Sequence, residues 1–339
     1  MKRVLKWLAT SVLVLACLLA VAITATIGWR PILGPKARAV TSRKFESTPQ
    51  RLERGKYLVT AVTGCFGCHS EHDWKSHGAP VMPGMEGSGE VMPIAELPGR
   101  IVASNITSDK ETGIGNWGDD ELARAIREGI GRDGRALFPM MPYEHFRKMS
   151  DEDLASVIVF IRTVPPVRHP LPQTNIVFPV KYLIRSAPQP VTEPISNDTA
   201  ASSDPVKRGA YLLNLADCSA CHTPQVRGQG VPGMYLAGGF PLTGPWGSVF
   251  SANITPDASG ISYYDESLFV QVLRTGYVRA RELKPIMPYG EYKNMSDDDL
   301  KAIFAYLRTV APVQHRVDNA ENVSQCKLCQ QKHGGGEQN

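Results

Sequence analysis

Two short strings in this 339-residue chain have residue types and spacing that suit one chemistry: Cys65-Phe66-Gly67-Cys68-His69 and Cys218-Ser219-Ala220-Cys221-His222. Two thiols three positions apart on one turn can each add to one of the two vinyl groups of a porphyrin, and the adjacent imidazole is then held under the ring within reach of the iron. A lone C-x-x-C-H also arises by chance, or in zinc and thiol-redox sites. Two copies, each followed by similar sequence, point instead to two covalently bound haem c groups on Cys65, Cys68, Cys218 and Cys221, with His69 and His222 as axial ligands. The sixth ligand then decides function. A Met thioether fills the coordination sphere, raises the potential and favours outer-sphere electron transfer.

Candidate methionines are Met82, Met85, Met92, Met140, Met141 and Met149 after the first motif, and Met234, Met287 and Met295 after the second. Only the pairs 141/287 and 149/295 fall at matching places in an internal repeat. Met149 and Met295 precede N-cap candidates Ser150 and Ser296 and stand at hydrophobic-staple spacing from Leu154 and Leu300, which gives them a structural role. Met141 and Met287 precede prolines, whose extended geometry suits a strap presenting a side chain to a metal, so they are the expected axial ligands, with Met140 as fallback.

The elements that must position these residues occur twice. A short helix around Arg51–Leu58 or Val206–Leu213 leads into each motif. Then come Asn105-Ile-Thr107 and Asn253-Ile-Thr255, an amphipathic helix stopped by glycine, Met-Pro-Tyr, and a final helix opening with Met-Ser-Asp. The motifs repeat at an offset of 153 (65 to 218) and Met-Pro-Tyr at 146 (141 to 287), which is tandem-domain rather than solenoid spacing. The expected boundaries are an anchor at 1–30, one domain at 49–167, a linker at 168–204, a second domain at 205–315 and a polar tail at 316–339. The last glycine-rich residues of that tail read as disordered.

Composition agrees with a two-domain globular chain: 42% hydrophobic and 21% charged residues allow a core, and a net charge of +4 does not argue for nucleic acid. Lys2, Arg3 and Lys6 precede an uncharged run from Trp7 to Trp29, longer than a signal-peptide core and long enough to span a bilayer. An uncleaved anchor is expected, with cleavage after Ala22 or Ala25 as the alternative. Covalent haem c is assembled outside the bacterial cytoplasm, which puts the haem domains in the periplasm on a single-pass inner-membrane protein.

Other residues have blander readings. The Asn-Ile-Thr pairs suit either contact with haem propionates or an Asn-stabilised turn. Tyr57 and Tyr211 read as core packing, and Trp117 with Tyr263 as crevice wall. His72, His77, His145, His169 and His315 read as surface or loop histidines, the first two being near enough to the first motif to compete for iron. Cys326-Lys-Leu-Cys329 lacks the adjacent histidine. It suits a disulfide or a remnant, and less well a metal site with His333.

Together, C-x-x-C-H, Asn-Ile-Thr-x-Asp, Gly-Ile-Gly-Asn-Trp at 113–117, Met-Pro-Tyr and Met-Ser-Asp-Glu-Asp-Leu resemble the multihaem cytochrome c subunits that serve membrane-linked bacterial dehydrogenases of alcohols, aldehydes and sugar acids. The resemblance covers 49–167 and 204–313. It implies an all-α architecture of two tandem class I cytochrome c-like domains, with axial ligands at His69, Met141, His222 and Met287; family members are often held by a C-terminal membrane segment, whereas here the domains follow one N-terminal transmembrane helix, read from the apolar run. Several family members carry three haems; here the Cys326 pair stands where a third motif would begin. The implied function is a carrier taking electrons from a periplasmic dehydrogenase or quinol to a cytochrome or terminal oxidase, not itself an enzyme. The alternative is a dihaem enzyme, of peroxidase or thiosulfate-oxidising type, with one exchangeable iron ligand.

Overall fold

The computed structural model describes residues 2–335; residues 336–339, where the sequence predicts disorder, lie outside the described residues. Helix α1, Lys2–Thr26, is long and apolar enough to cross a membrane, and it buries none of its side chains. From its end the chain runs along the first repeat. Arg38 of the basic run pairs with Asp120 and Glu128 at 2.7 Å each, and both carboxylates are almost fully buried. Arg185, midway along the 168–204 segment, donates to the carbonyl of Pro31 (3.0 Å), shortly after α1.

Each repeat is built on the same frame. α2 (Pro49–Tyr57) opens the first, followed by α3 (Asp119–Glu128), the short α4 (Tyr143–Phe146) and α5 (Asp151–Ile161). α6 (Pro205–Leu215) opens the second, followed by α7 (Cys218–His222), α8 (Glu266–Thr275), the short α9 (Tyr289–Tyr292) and α10 (Asp297–Leu307). The starts follow from local chemistry. The side chains of Thr48 and Asp204 accept backbone N–H groups at the first turns of α2 and α6, each with proline at the first helical position. Ser150 and Ser296 cap α5 and α10 at 3.1 and 3.2 Å, as their spacing predicted. Met149 and Met295 are then almost fully buried in the core together with Leu154 and Leu300.

Within each repeat the first and last helices cross, α2 on α5 and α6 on α10. A glycine sits at each crossing. A Cβ on Gly55 would lie 2.0 Å from the carbonyl oxygen of Ser156, and one on Gly209 would lie 1.8 Å from that of Ala302. Backbone meets backbone there, so no rotamer change relieves a methyl group. Gly209→Ala is therefore expected to destabilise the second repeat by about 3 kcal/mol, the upper range for overpacking. Lys207→Ala, on the exposed side of the same helix, should stay within about 0.5 kcal/mol. Urea denaturation of the two variants checks this.

Helices carry the core, but the all-α expectation holds only in part. Six two-stranded antiparallel ladders decorate the helices among the described residues. The longest pairs Pro241–Gly244 with Gly247–Phe250. The segment after the first motif docks on that hairpin: Trp74 packs on Trp246 with ring centroids 5.0 Å apart, and Ala95 N–H donates to the carbonyl of Thr243 (2.8 Å). The 168–204 segment is also engaged, with Asn175–Ile176 pairing Gly99–Arg100, and Asp151 N–H donating to the carbonyl of Ile195 (3.0 Å).

The two repeats meet through a reciprocal clamp. Tyr211 Oη donates to Asp153 Oδ2 (2.7 Å) and accepts the N–H of Ser150 (3.1 Å). Tyr57 Oη donates to Asp299 and accepts the N–H of Ser296 (3.1 Å). Each aspartate also holds an arginine of its own repeat, Arg54 on Asp153 at 2.8 Å and Arg208 on Asp299 at 2.6 Å. The two tyrosines, read from sequence as core packing, thus satisfy buried carboxylates of the opposite repeat, where an unpaired acceptor would cost about 1–3 kcal/mol.

Candidate functional site

The clamp brings both C-x-x-C-H motifs to one continuous chamber of about 1740 Å³. Cys65, Cys68, His69, Cys218, Cys221 and His222 all line it, as do Met141 and Met287. In the second repeat the motif is a helical turn, α7, and in the first a tight 3₁₀ turn over Cys65–Gly67. Both turns start from a left-handed residue, Gly64 at φ 53° and Asp217 at φ 56°. A turn of this kind projects two thiols and an imidazole toward one space.

The histidines are preset. His69 Nδ1–H donates to the carbonyl of Ser104 (2.6 Å), and His222 Nδ1–H donates to that of Ala252 (2.7 Å). Each bond fixes the tautomer and leaves Nε2, the unprotonated nitrogen, toward the chamber. Burial lowers the pKa of both imidazoles, which keeps them neutral, the form that can ligate a metal. The same burial pushes the Cys65 thiol up to about 11 and those of Cys68, Cys218 and Cys221 up to about 12. Thiol-redox C-x-x-C sites depend on a depressed pKa; burial here acts in the opposite direction.

Met-Pro-Tyr is a local device. Pro142 has φ −81° and ψ 48°, and Pro288 φ −80° and ψ 49°. Each makes an inverse γ-turn, closed by Tyr143 N–H on the carbonyl of Met141 and Tyr289 N–H on that of Met287, both at 2.8 Å. The tyrosine is the anchor. Tyr143 and Tyr289 are almost fully buried, and their rings lie against Gly129 and Gly276, the left-handed C-caps of α3 and α8. A Cβ there would meet the ring at 2.6 or 2.4 Å. Sequence reading took these glycines only as helix stops; they are also the platforms that set the methionine straps. Met140, the fallback, lines the chamber too, but it does not pack on the core as Met141 and Met287 do.

The Asn-Ile-Thr pairs resolve as turns. Asn105 Oδ1 accepts the N–H and hydroxyl of Thr107 (2.8 and 2.7 Å), and its Nδ2 donates to the carbonyl of Val167 (2.7 Å). Asn253 repeats this with Thr255 and Val313. The intervening Ile106 and Ile254 face the chamber. The wall pair needs correction. The partner of Trp117 is Tyr264, not Tyr263: Trp117 and Tyr264 both donate N–H to an isoleucine carbonyl three residues back and line the chamber, whereas Tyr263 is half exposed. His77 has both ring nitrogens engaged, on Glu282 and the carbonyl of Thr275. His72 is held by Glu90 at 3.0 Å with its side chain buried, and His315 is 1% exposed; neither is a surface histidine.

Sequence reading missed two half-buried acids beside the motifs. Asp217 precedes Cys218, and burial pushes its carboxyl up to about 7. Glu291 lies against Gly64 and Gly67 of the other motif, and burial pushes its carboxyl up to about 6.

Paired enclosed thiols, an open imidazole nitrogen for each pair, a thioether strap and apolar walls form a donor set that fits two haem c groups. Residues 52–165 and 206–311 match the family model for cytochrome c. The chain is 30% identical over 303 residues to the cytochrome c subunit of a quinone alcohol dehydrogenase from Gluconobacter oxydans (strain 621H), covering 84% of this chain and 60% of that protein. It is 33% identical over 299 residues to the fructose dehydrogenase cytochrome subunit of Gluconobacter japonicus, covering 82% and 57%. It is 28% identical over 284 residues to a diheme cytochrome c-type protein of Cereibacter sphaeroides, covering 80% and 89%. The chain thus spans about three-fifths of the length of the two dehydrogenase subunits.

Proposed function

Because the chain belongs to the cytochrome c family, we propose that it is a membrane-anchored carrier that moves electrons through two haem c groups, from a periplasmic dehydrogenase or quinol to a downstream cytochrome or terminal oxidase. The observation that carries this reading is the single chamber lined by both C-x-x-C-H motifs, each with an imidazole nitrogen left open. Haem c supplies a reversible one-electron couple. The residues supply everything else. Cys65 and Cys68 would hold one group and Cys218 and Cys221 the other, through thioether bonds. His69 and His222, oriented by Ser104 and Ala252, would each supply a ring nitrogen to the iron. Met141 and Met287 would supply a thioether sulfur, leaving no iron position for a substrate, and the apolar walls would keep water out. The chain makes and breaks no substrate bond in this role. Its relatives, named as cytochrome c subunits of alcohol and fructose dehydrogenases, support a dehydrogenase as donor. The apolar helix α1 supports a single-pass inner-membrane anchor with the haem domains in the periplasm.

Stopped-flow mixing of the reduced, detergent-solubilised chain with oxidised soluble cytochrome c tests the role. Both irons should reoxidise in a rapid bimolecular reaction, and hydrogen peroxide should not be turned over. Peroxide turnover with slow cytochrome reduction would favour an enzyme.

Asp217 adds a pH dependence. Its carboxyl, raised to about 7, is protonated below that pH. Deprotonation as pH rises places a negative charge beside the second motif and favours the oxidised state. The midpoint of that site should fall as pH rises from about 6 to 8, by at most about 59 mV per unit for one electron. Redox titration of Asp217→Asn should give a flat profile. The raised acid also binds its proton more tightly in the folded chain. Its contribution to stability is therefore lost as pH rises from the usual carboxylate range to about 7.

A further inference from the structure

The third C-x-x-C pair does not stand alone. The ladder of Ser324–Gln325 with Lys332–His333 closes a hairpin whose tip carries Cys326 and Cys329 and whose return strand ends in His333. The hairpin folds onto the segment after α10, where His315 waits. Ligand atoms of His315, Cys326, Cys329 and His333 all lie within 4.8 Å of one another. We propose that these four side chains form a structural zinc site that fastens the C-terminal segment to the second repeat.

Donor set and spacing suit that ion. Two thiolates two residues apart and two imidazoles make a tetrahedral Cys₂His₂ shell, the closed set of structural zinc rather than an open catalytic one. Bonds of about 2.3 Å to sulfur and 2.0 Å to nitrogen put tetrahedral ligands roughly 3.5 Å apart. Cys326 Sγ lies 3.4 Å from His315 Nε2.

The surroundings are those of a prepared site. Cys329 is fully buried, His315 is 1% exposed and His333 8%. His315 Nδ1–H donates to the carbonyl of Ala237 (2.8 Å), which aims Nε2 at the cluster, as an outer-shell partner does for a metal-bound histidine. His333 Nε2 is buried with no hydrogen-bond partner, a cost that a metal bond would remove. All four sulfur and nitrogen donors converge, and the two cysteines are free thiols rather than a disulfide. The turn between them is held by Gln330 N–H on the carbonyl of Cys326 (3.1 Å). Binding releases two thiol protons, and two thiolates neutralise the 2+ ion in this enclosed place.

The consequence is structural. Gln331, between the cysteines and His333, donates to the carbonyl of Gln225 (3.0 Å) and lines the haem chamber. A zinc ion here would hold one wall of that chamber shut.

The full-length chain, purified from membranes without added metal or chelator, should contain one zinc per chain by elemental mass spectrometry. X-ray absorption at the zinc edge should show two sulfur and two nitrogen neighbours. Cys329→Ala and, in case that variant folds poorly, the milder His333→Gln should each lose at least nine-tenths of the zinc while keeping the full complement of covalent haem. Limited proteolysis should then cut the C-terminal segment at least tenfold faster. A Cys326–Cys329 disulfide in the unreduced intact mass would overturn the proposal. So would zinc content that is far below one per chain after incubation with zinc sulfate, or that is unchanged in both variants.

Discussion

With Cys218 and Cys221 both replaced by alanine, the purified chain should carry one covalent haem instead of the two proposed. The intact mass under denaturing conditions should fall by one haem, and the pyridine haemochrome yield should halve. The remaining group belongs to Cys65 and Cys68. The loss also has a packing cost. The walls of the second repeat then close on nothing, and unfilled space in a core costs about 24 cal/mol per Å³. If only a tenth of the 1740 Å³ chamber stayed empty, the penalty would be about 4 kcal/mol. The second repeat should therefore become protease-sensitive while the first keeps its spectrum. Retention of two haems would mean that attachment lies elsewhere, and the Cys326 pair would be the first place to look.

Replacing Met141 or Met287 by alanine should lower the midpoint of one site and leave the other near its starting value. Thioether ligation favours the ferrous state, and axial ligands move haem potentials across a wide range. A fall on the order of 0.1 V or more is expected, equivalent to about 2.3 kcal/mol per 0.1 V for one electron. The controls lie beside the ligands. Met140→Ala, at a residue that lines the chamber without packing on the core, should shift neither midpoint appreciably. Met149→Ala should cost about 2–4 kcal/mol of stability, because Met149 is fully buried in the core, and leave the potentials in place. Spectroelectrochemical titration of the four variants separates a ligand from a packing residue.

The repeat made much of this readable from residue types alone. Serine caps, glycine stops and the staple methionines are local signals, and the structure reproduces them at Ser150, Ser296, Gly129 and Gly276. Matching positions also isolated Met141 and Met287, since only two methionine pairs recur. What stayed illegible depends on contacts between distant segments. Tyr57 and Tyr211 cross to the other repeat, over sequence separations of 242 and 58 residues to their aspartates, so no periodicity announces them. The raised carboxyl of Asp217 comes from burial in the folded chain, where His145 of the first repeat lies 3.3 Å away, which the motif alone does not disclose. His315 looked like a loop histidine because its partners lie beyond a hairpin that only the folded tail forms. Tyr263 and Tyr264 are adjacent aromatics, and a one-residue difference in spacing between the repeats decides which ring faces inward.

Outer-sphere transfer through this chain requires both irons to be fully ligated, and the low-temperature electron paramagnetic resonance spectrum of the fully oxidised wild-type chain addresses that directly. Two ferric low-spin signals of equal integrated intensity, together accounting for all the iron, are predicted for paired His–Met ligation at His69/Met141 and His222/Met287. A high-spin ferric signal integrating to one iron per chain would contradict it, since one iron would then stand open to water, oxygen or peroxide.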